Sequence, residues 1–252
     1  MQPDWIDQHV RQFDFPESGG DIRHTIYIKG EGPPIVILQE LPGIGVETFA
    51  LADRLIAAGF KVYLPHLVGE LGVKDAGLPA TLRRVFCIRR EFQMFRVGRQ
   101  SEIASWLRAL CAEIQQRESG SQIGLIGMCL TGSFAIPLMA EDAVAAAVAS
   151  QPSLPFIFRT SQLHMSEDDV DRACAAMKEK GPALVMRYKS DTISTTKHID
   201  ALTAAFGDTL QVEQYDNPDG DSGKLHSLLT LHFSQPAYAK TEPYFKSRFG
   251  MN

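Results

Sequence analysis

Short apolar runs alternate with stretches of helical apolar spacing along nearly the whole chain, and that alternation leaves few folds open. Ile35-Val36-Ile37-Leu38 is a continuous apolar run of the kind buried on both faces of a parallel sheet. Glu47 to Ala58 follows, with Phe49, Leu51, Leu55 and Ile56 at helical spacing, and stops at Gly59. The pattern then repeats. Lys61 to Leu64, Ile123 to Ile126, Val144 to Ala149, Ala183 to Tyr188 and Leu210 to Tyr215 read as strands, and His24 to Lys29 as an earlier one. Between them, Ile103 to Ile114 carries Trp106, Leu107, Leu110 and Ile114 along one helical face. A helix ending at Lys180 starts from Ser166, a suitable N-cap followed by Glu167, Asp168 and Asp169. Residues 195–206 and Pro236 to Phe249 read as further helices. Strands alternating with helices of this length build a mostly parallel sheet with helices on both faces. No repeat or Pro/Gly-rich linker divides the chain, so one domain over residues 1–252 is expected, with 1–22 a loosely ordered polar segment. Residues 68–95 lack periodicity and read as a loop or cap over a site, and Ser153 to Ser166 reads as an irregular excursion containing Pro155.

Composition narrows the function classes. The formal net charge of -5 argues against a nucleic-acid surface. Hydrophobic content of 44% is that of a soluble globular protein, and the apolar stretches break well short of the ~20 residues a membrane helix needs. The start, Met1-Gln2-Pro3-Asp4-Trp5-Ile6-Asp7, has neither the basic nor the apolar region of a signal peptide. Cys87, Cys111, Cys129 and Cys174 are scattered without metal-ligand spacing, so no metal or other cofactor is expected and reduced thiols in a cytoplasm are the simplest reading. Nothing in the chain indicates an oligomeric state.

The chemistry concentrates where the run from Ile123 to Ile126 enters Gly127-Met128-Cys129-Leu130-Thr131-Gly132 and then the helix-compatible Ser133-Phe134-Ala135-Ile136. A strand turning sharply into a helix, with a nucleophile among small residues, is a nucleophile elbow, and its apex here is Cys129. Functional residues of such sheets lie beyond the carboxyl ends of the strands. Those ends offer Gln39, Glu40 and Leu41, then Cys129, then Asp191, and then His226 after the loop Asn217 to Gly223. Nucleophile, acid, histidine is the chain order of α/β-hydrolases. A cysteine attacks as thiolate, favoured by a helix N-terminus or a protonated histidine, and Cys129 is placed for both. His226 would move the proton and Asp191 would fix its tautomer. The N–H of Leu130 suits an oxyanion hole, with Leu41 N–H as its second donor. His232 and His198 compete with His226, and Asp200 and Asp208 with Asp191, but they lie in less suitable places. Cys111 and Cys174, on helices, read as packing residues.

These residues together resemble the dienelactone hydrolase family. The resemblance rests on Val36-Ile37-Leu38-Gln39-Glu40, the cysteine elbow, Asp191 and Gly223-Lys224-Leu225-His226-Ser227, and spans roughly residues 24–235. It implies an α/β-hydrolase fold, ester or lactone hydrolysis and a Cys-His-Asp triad without metal. It also implies that Glu40 contacts the cysteine at rest and tunes its ionisation. Two features depart from the pattern. Thr230 stands where the family has a substrate-binding arginine four residues after the histidine, and Thr131 stands where a second elbow glycine is more usual. For a substrate carboxylate the chain offers Arg83, Arg84, Arg89, Arg90 and Arg96, of which the pair Arg89 and Arg90 is selected for bidentate recognition. His66, at another strand end, reads as structural.

The expected function is therefore a cysteine-dependent hydrolase of a small ester or lactone. A non-catalytic binding protein of the same fold is the alternative, and an intact nucleophile, base and acid argues against it. A glutamine-amidotransferase-like enzyme calls for a late His-x-Glu, which the chain lacks after Cys129.

Overall fold

The computed structural model describes residues 10–14, 23–69, 71–72, 102–153, 163 and 165–251. By backbone contacts the chain divides into two compact units, Met1–Ile123 and Gly124–Asn252.

In the first unit the strands β1 (Val10–Asp14), β2 (Arg23–Lys29), β3 (Pro34–Leu38) and β4 (Lys61–Pro65) lie in the order β1-β2-β4-β3. β3 and β4 run parallel, with Ile35 opposite Val62, and Ile35 to Leu38 have no exposed surface. The 2.0 alternation of a half-exposed strand is absent because both faces are covered. Helix α1 (Val46–Ala57) connects them and buries Phe49, Leu51 and Leu55 of the expected stripe together with Ala52, while Ile56 is half-buried. Helix α2 (Glu102–Arg117) buries Trp106, Leu107, Leu110 and Ile114. Cys111 is buried on the same helix, as expected of a packing residue.

Within the N-terminal segment, Val10–Asp14 is described. That stretch is a strand, antiparallel to β2, with Val10 opposite Tyr27 and Asp14 opposite Arg23. An edge strand needs only main-chain donors and acceptors on one side, so the polar sequence Val-Arg-Gln-Phe-Asp is no obstacle to it.

In the second unit β5 (Ile123–Met128), β6 (Val144–Ser150), β7 (Ala183–Tyr188) and β8 (Leu210–Tyr215) follow one another in sheet order. β6, β7 and β8 are parallel, in register Val148 to Leu184 and Ala183 to Leu210. After β5 comes a single helical turn, α3 (Gly132–Ala135), and the longer helices are α4 (Glu167–Lys180), α5 (Thr196–Phe206) and α6 (Gln235–Arg248). Ser166 caps α4 as expected: its Oγ accepts from Asp169 N at 3.1 Å and its N–H reaches back to the Asp169 carboxylate. Cys174 is half-buried on this helix. Thr195 and Ser234 cap α5 and α6 by accepting from the N–H groups of His198 and Ala237. Among the described residues no helix is long and apolar enough to cross a membrane.

Candidate active site

The elbow is built by backbone geometry that few residues tolerate. Cys129 has φ of 56°, in the left-handed region where a side-chain-bearing residue is strained. The chain leaves β5 at Met128, makes one 3-10 turn over Cys129–Thr131 and enters α3. A Cβ on Gly127 would sit 2.4 Å from the Thr131 carbonyl oxygen, and one on Gly132 would sit 3.0 Å from Pro152 Cα. Gly127 is therefore demanded by close approach, and Gly132 leaves little room for a side chain. Thr131 does what a second glycine there could not: its hydroxyl accepts from Met128 N and donates to Met128 O, each at 2.9 Å, and so closes the turn. The departure from the glycine pattern is a clamp. The expected helix after the nucleophile is short, because Pro137 follows α3 and the chain continues as a 3-10 turn over Pro137–Ala140.

Asp191 stands three residues beyond β7, and its carboxylate has no exposed surface. Oδ1 accepts from the backbone N–H of Ile193 at 2.8 Å and of Ser194 at 2.9 Å. Oδ2 accepts from His226 Nδ1 at 2.6 Å. A carboxylate needs this many donors to be tolerated away from water. The loop beneath it is pinned by Arg187, a fully buried residue within β7. Its guanidinium donates to the carbonyls of Lys189 and Asp191, both at 3.1 Å, and to Thr196 Oγ1 at 2.9 Å.

His226 arrives on the loop after β8. Asn217 ties that loop together by donating to Asp221 O and Gly223 O, and Ser190 links it to the acid loop through Asn217 Oδ1 and Leu225 N. His232, a competing candidate from the sequence, accepts the backbone N–H of His226 on its Nδ1 at 3.2 Å. It holds the main chain of His226. With Nδ1 committed to Asp191, Nε2 is the nitrogen left for proton traffic, and it has no conventional hydrogen-bond partner among the described residues. Burial disfavours the imidazolium, but the Asp191 hydrogen bond and the neighbouring Cys129 sulfur outweigh it and raise the His226 pKa to about 10. An acid, a histidine and a thiol thus meet, supplied by the ends of β7, β8 and β5.

The remaining candidates are placed as follows. Leu130 lies in the turn immediately after the sulfur, with its side chain buried. Glu40 and Leu41 follow β3 in the first unit, where Glu40 is buried. Their neighbour Gln39 is a brace: its Oε1 accepts from Leu67 N at 2.9 Å and its Nε2 donates to Val68 O at 2.7 Å. His66 bonds to Gly69 O through Nε2, in keeping with a structural role. His198 is buried on α5, Asp200 lies on that helix and Asp208 in the turn after it. Thr230 is buried. Arg89 and Arg90, with Arg83, Arg84, Arg96 and Cys87, lie outside the described residues. Among those described, no group of three or more His, Cys, Asp or Glu side chains could hold a metal ion.

Sequence reasoning missed Ser153. Its hydroxyl lies 3.2 Å from Cys129 Sγ and its N–H donates to Cys129 O at 3.0 Å. The available signal is position alone: Gln151-Pro152-Ser153 leaves the carboxyl end of β6 as Cys129 leaves that of β5.

By sequence the chain matches no curated protein. By structure it is similar to a dienelactone hydrolase-like promiscuous phosphotriesterase from metagenomic libraries, with a TM-score of 0.61 at 19% identity over 96% of this chain and 97% of the other. An esterase of Pyrococcus furiosus aligns with a TM-score of 0.56 at 12% identity, covering 96% and 93%. An α/β hydrolase from the sediment metagenome of the Mar Chica lagoon, Morocco, aligns at 0.54 with 17% identity, covering 96% and 99%. At such identities the likeness establishes the α/β-hydrolase fold. The sequence model of the dienelactone hydrolase family matches residues 24–219, a stretch that contains the elbow and Asp191 and stops short of His226. Matched over most of its length, the chain belongs to the dienelactone hydrolase family.

Proposed function

We propose that the protein hydrolyses small carboxylic esters or lactones through a thioester on Cys129, with His226 as proton carrier and Asp191 as its orienting acid. The observation that carries the reading is His226 itself, which is hydrogen-bonded to a buried carboxylate on Nδ1 while its other nitrogen faces the thiol side. An imidazole that holds its proton up to about pH 10 places a positive charge beside the sulfur at neutral pH.

The thiolate adds to the substrate carbonyl carbon and the C=O π pair moves onto oxygen. The N–H groups of Leu130 and Leu41 receive that oxyanion in this reading. As the tetrahedral intermediate collapses, the C–O bond to the leaving group breaks and His226 Nε2–H protonates the departing alkoxide. For a lactone the alcohol stays tethered to the acyl group. Neutral His226 then takes a proton from water, the hydroxide attacks the thioester, and the C–S bond breaks to restore the thiolate. Glu40 serves as the resting-state partner that tunes the sulfur, and Arg89 with Arg90 as an anchor for a substrate carboxylate. The reading requires a reducing compartment such as the cytoplasm, since an oxidised sulfur cannot attack.

The test compares the intact protein with Cys129→Ala on short aryl esters and a panel of lactones, with mass spectrometry for an acyl adduct on Cys129. A hydrolysis rate that survives the substitution, with no adduct trapped, refutes the enzyme reading and leaves a ligand-binding protein.

A further inference from the structure

We propose that Ser153 is a positioning residue for the nucleophile, its hydroxyl donating a hydrogen bond that holds and stabilises the Cys129 thiolate at rest. The inference rests on the reading of Cys129 as nucleophile and adds a residue to it.

The contact is built from several sides. Ser153 is buried, and Cys129 Sγ at 3.2 Å is the partner of its hydroxyl among the described residues. Both ends of the residue are tied to the elbow: its N–H donates to Cys129 O, and its carbonyl accepts from Ser133 Oγ, each at 3.0 Å. The approach to it is forced. Gln151, with no exposed surface, adopts φ of 37°, and its N–H donates to Met186 O at 2.6 Å. Pro152 O then accepts from Ser194 Oγ at 2.7 Å. A non-glycine residue at positive φ in a buried turn is conformational strain that needs a reason. Here the turn delivers Ser153 to the sulfur.

The chemistry follows from the donor inventory. A thiolate has no hydrogen to give, so when Cys129 is ionised only the serine O–H can donate across this contact. The bond therefore favours the charged sulfur over the thiol. Once the sulfur carries an acyl group it is a poor acceptor and the bond is lost, which makes the contact specific to the resting state. A hydrogen bond that stabilises the thiolate also lowers its intrinsic nucleophilicity.

The ionisable groups near the sulfur are His226, with Asp191 behind it, and Glu40 in the reading above. Serine substitutions leave all of them in place. Ser153→Ala and Ser153→Gly remove the hydroxyl without adding volume, and Ser153→Thr keeps it. The ultraviolet absorbance of the thiolate is titrated in each, and iodoacetamide alkylation is followed across pH with the adduct assigned to Cys129 by mass. Loss of the hydroxyl should raise the apparent thiolate pKa by about one unit, the size expected of a hydrogen bond to a charged group. Threonine should restore most of it. Alkylation of Ser153→Ala should be slower than wild type below the shifted pKa and equal or faster above it, so that the two profiles cross. An unchanged titration in a folded Ala or Gly variant, or a threonine variant that shifts as far as alanine, overturns the proposal. Hydrolysis that survives Cys129→Ala would defeat the proposed function instead, and the titration would still decide the role of Ser153.

Discussion

Replacing Asp191 by asparagine should disable the site by inverting the histidine rather than by removing a charge alone. Oδ1 of Asp191 is held by two peptide N–H groups, those of Ile193 and Ser194 at 2.8 and 2.9 Å, and neither can accept. In Asp191→Asn the amide oxygen of the new side chain therefore occupies that position, and its NH2 takes the place of Oδ2, 2.6 Å from His226 Nδ1. An NH2 there must donate, so Nδ1 becomes the acceptor and the proton moves to Nε2, which can then no longer take a proton. The rise of the His226 pKa from 6.5 to about 10 is worth ~5 kcal/mol between charged and neutral imidazole. Asp191 supplies part of this and Cys129 the rest. Removal of the carboxylate share, with burial now opposed only by the sulfur, brings the pKa well down. The expected loss in kcat/KM is about 10³–10⁴-fold, or ~4–5.5 kcal/mol, the order found when the same change inverts the tautomer in a serine triad. Aryl-ester hydrolysis across pH gives the rate, and nitrogen-detected NMR of the imidazole gives the tautomer. Asp191→Ala, which places no wrong donor on Nδ1, should keep more activity than Asp191→Asn. An asparagine variant within tenfold of wild type, or one whose imidazole still carries its proton on Nδ1, would refute the reasoning.

Three further outcomes follow from the elbow and its histidine. Gly127→Ala puts a Cβ 2.4 Å from the Thr131 carbonyl, a main-chain atom that cannot yield without opening the turn, and should cost about 2–3 kcal/mol in urea unfolding; a loss under ~1 kcal/mol would show that the elbow is softer than its geometry. Cys129→Gly and Cys129→Ala both lack the sulfur, yet only glycine relaxes φ of 56°, so glycine should unfold later by up to ~1 kcal/mol. The His226 pKa is about 10 in the native state against 6.5 unfolded, so the native state binds the extra proton between those values. That contribution to stability is complete below pH 6.5 and is lost as pH rises through about 10, a slope that Asp191→Asn should flatten in denaturant titrations.

The residues that bring acid, histidine and thiol together were legible because each stands at a strand's carboxyl end. Cys129 adds the small residues a strained turn needs, and Ser166 announces its helix because Asp169 completes a capping box. What stayed hidden depends on partners distant in sequence. Arg187 reads as one polar residue inside an apolar strand, and only the fold shows its guanidinium shared among Thr196, Gln214 and two carbonyls. Gln39 reads as one of several polar residues at a strand end, yet it braces Leu67 and Val68 across an interval no local pattern spans. β1 pairs through its main chain, which composition does not report. Ser153 belongs to no motif at all. Pro137 was visible, but its effect on the helix after Cys129 depends on how the 3-10 turn over Cys129–Thr131 spends the first residues.

Under the proposed reading, that shortened helix changes how a thiolate on Cys129 would be stabilised. A helix dipole acts through the unpaired N–H groups of its first turn and grows with aligned peptides behind them. α3 has four residues before the 3-10 turn at Pro137, so this contribution is small here. The stabilisation falls instead on groups placed one by one, and the structure spends its polar bonds on placing them. Arg187 holds the acid loop through Asp191 O, Gln151 Oε1 accepts from Leu228 N at 3.2 Å in the histidine loop, and Ser194 ties the acid loop to Pro152. Each anchor joins a side chain to main chain, so each fixes a loop rather than a single rotamer. The acid and histidine loops are thereby indexed to the turn after β6, whose last residue touches the sulfur. A site preorganised in this way keeps its geometry without a long helix behind the nucleophile, because the loops cannot drift independently.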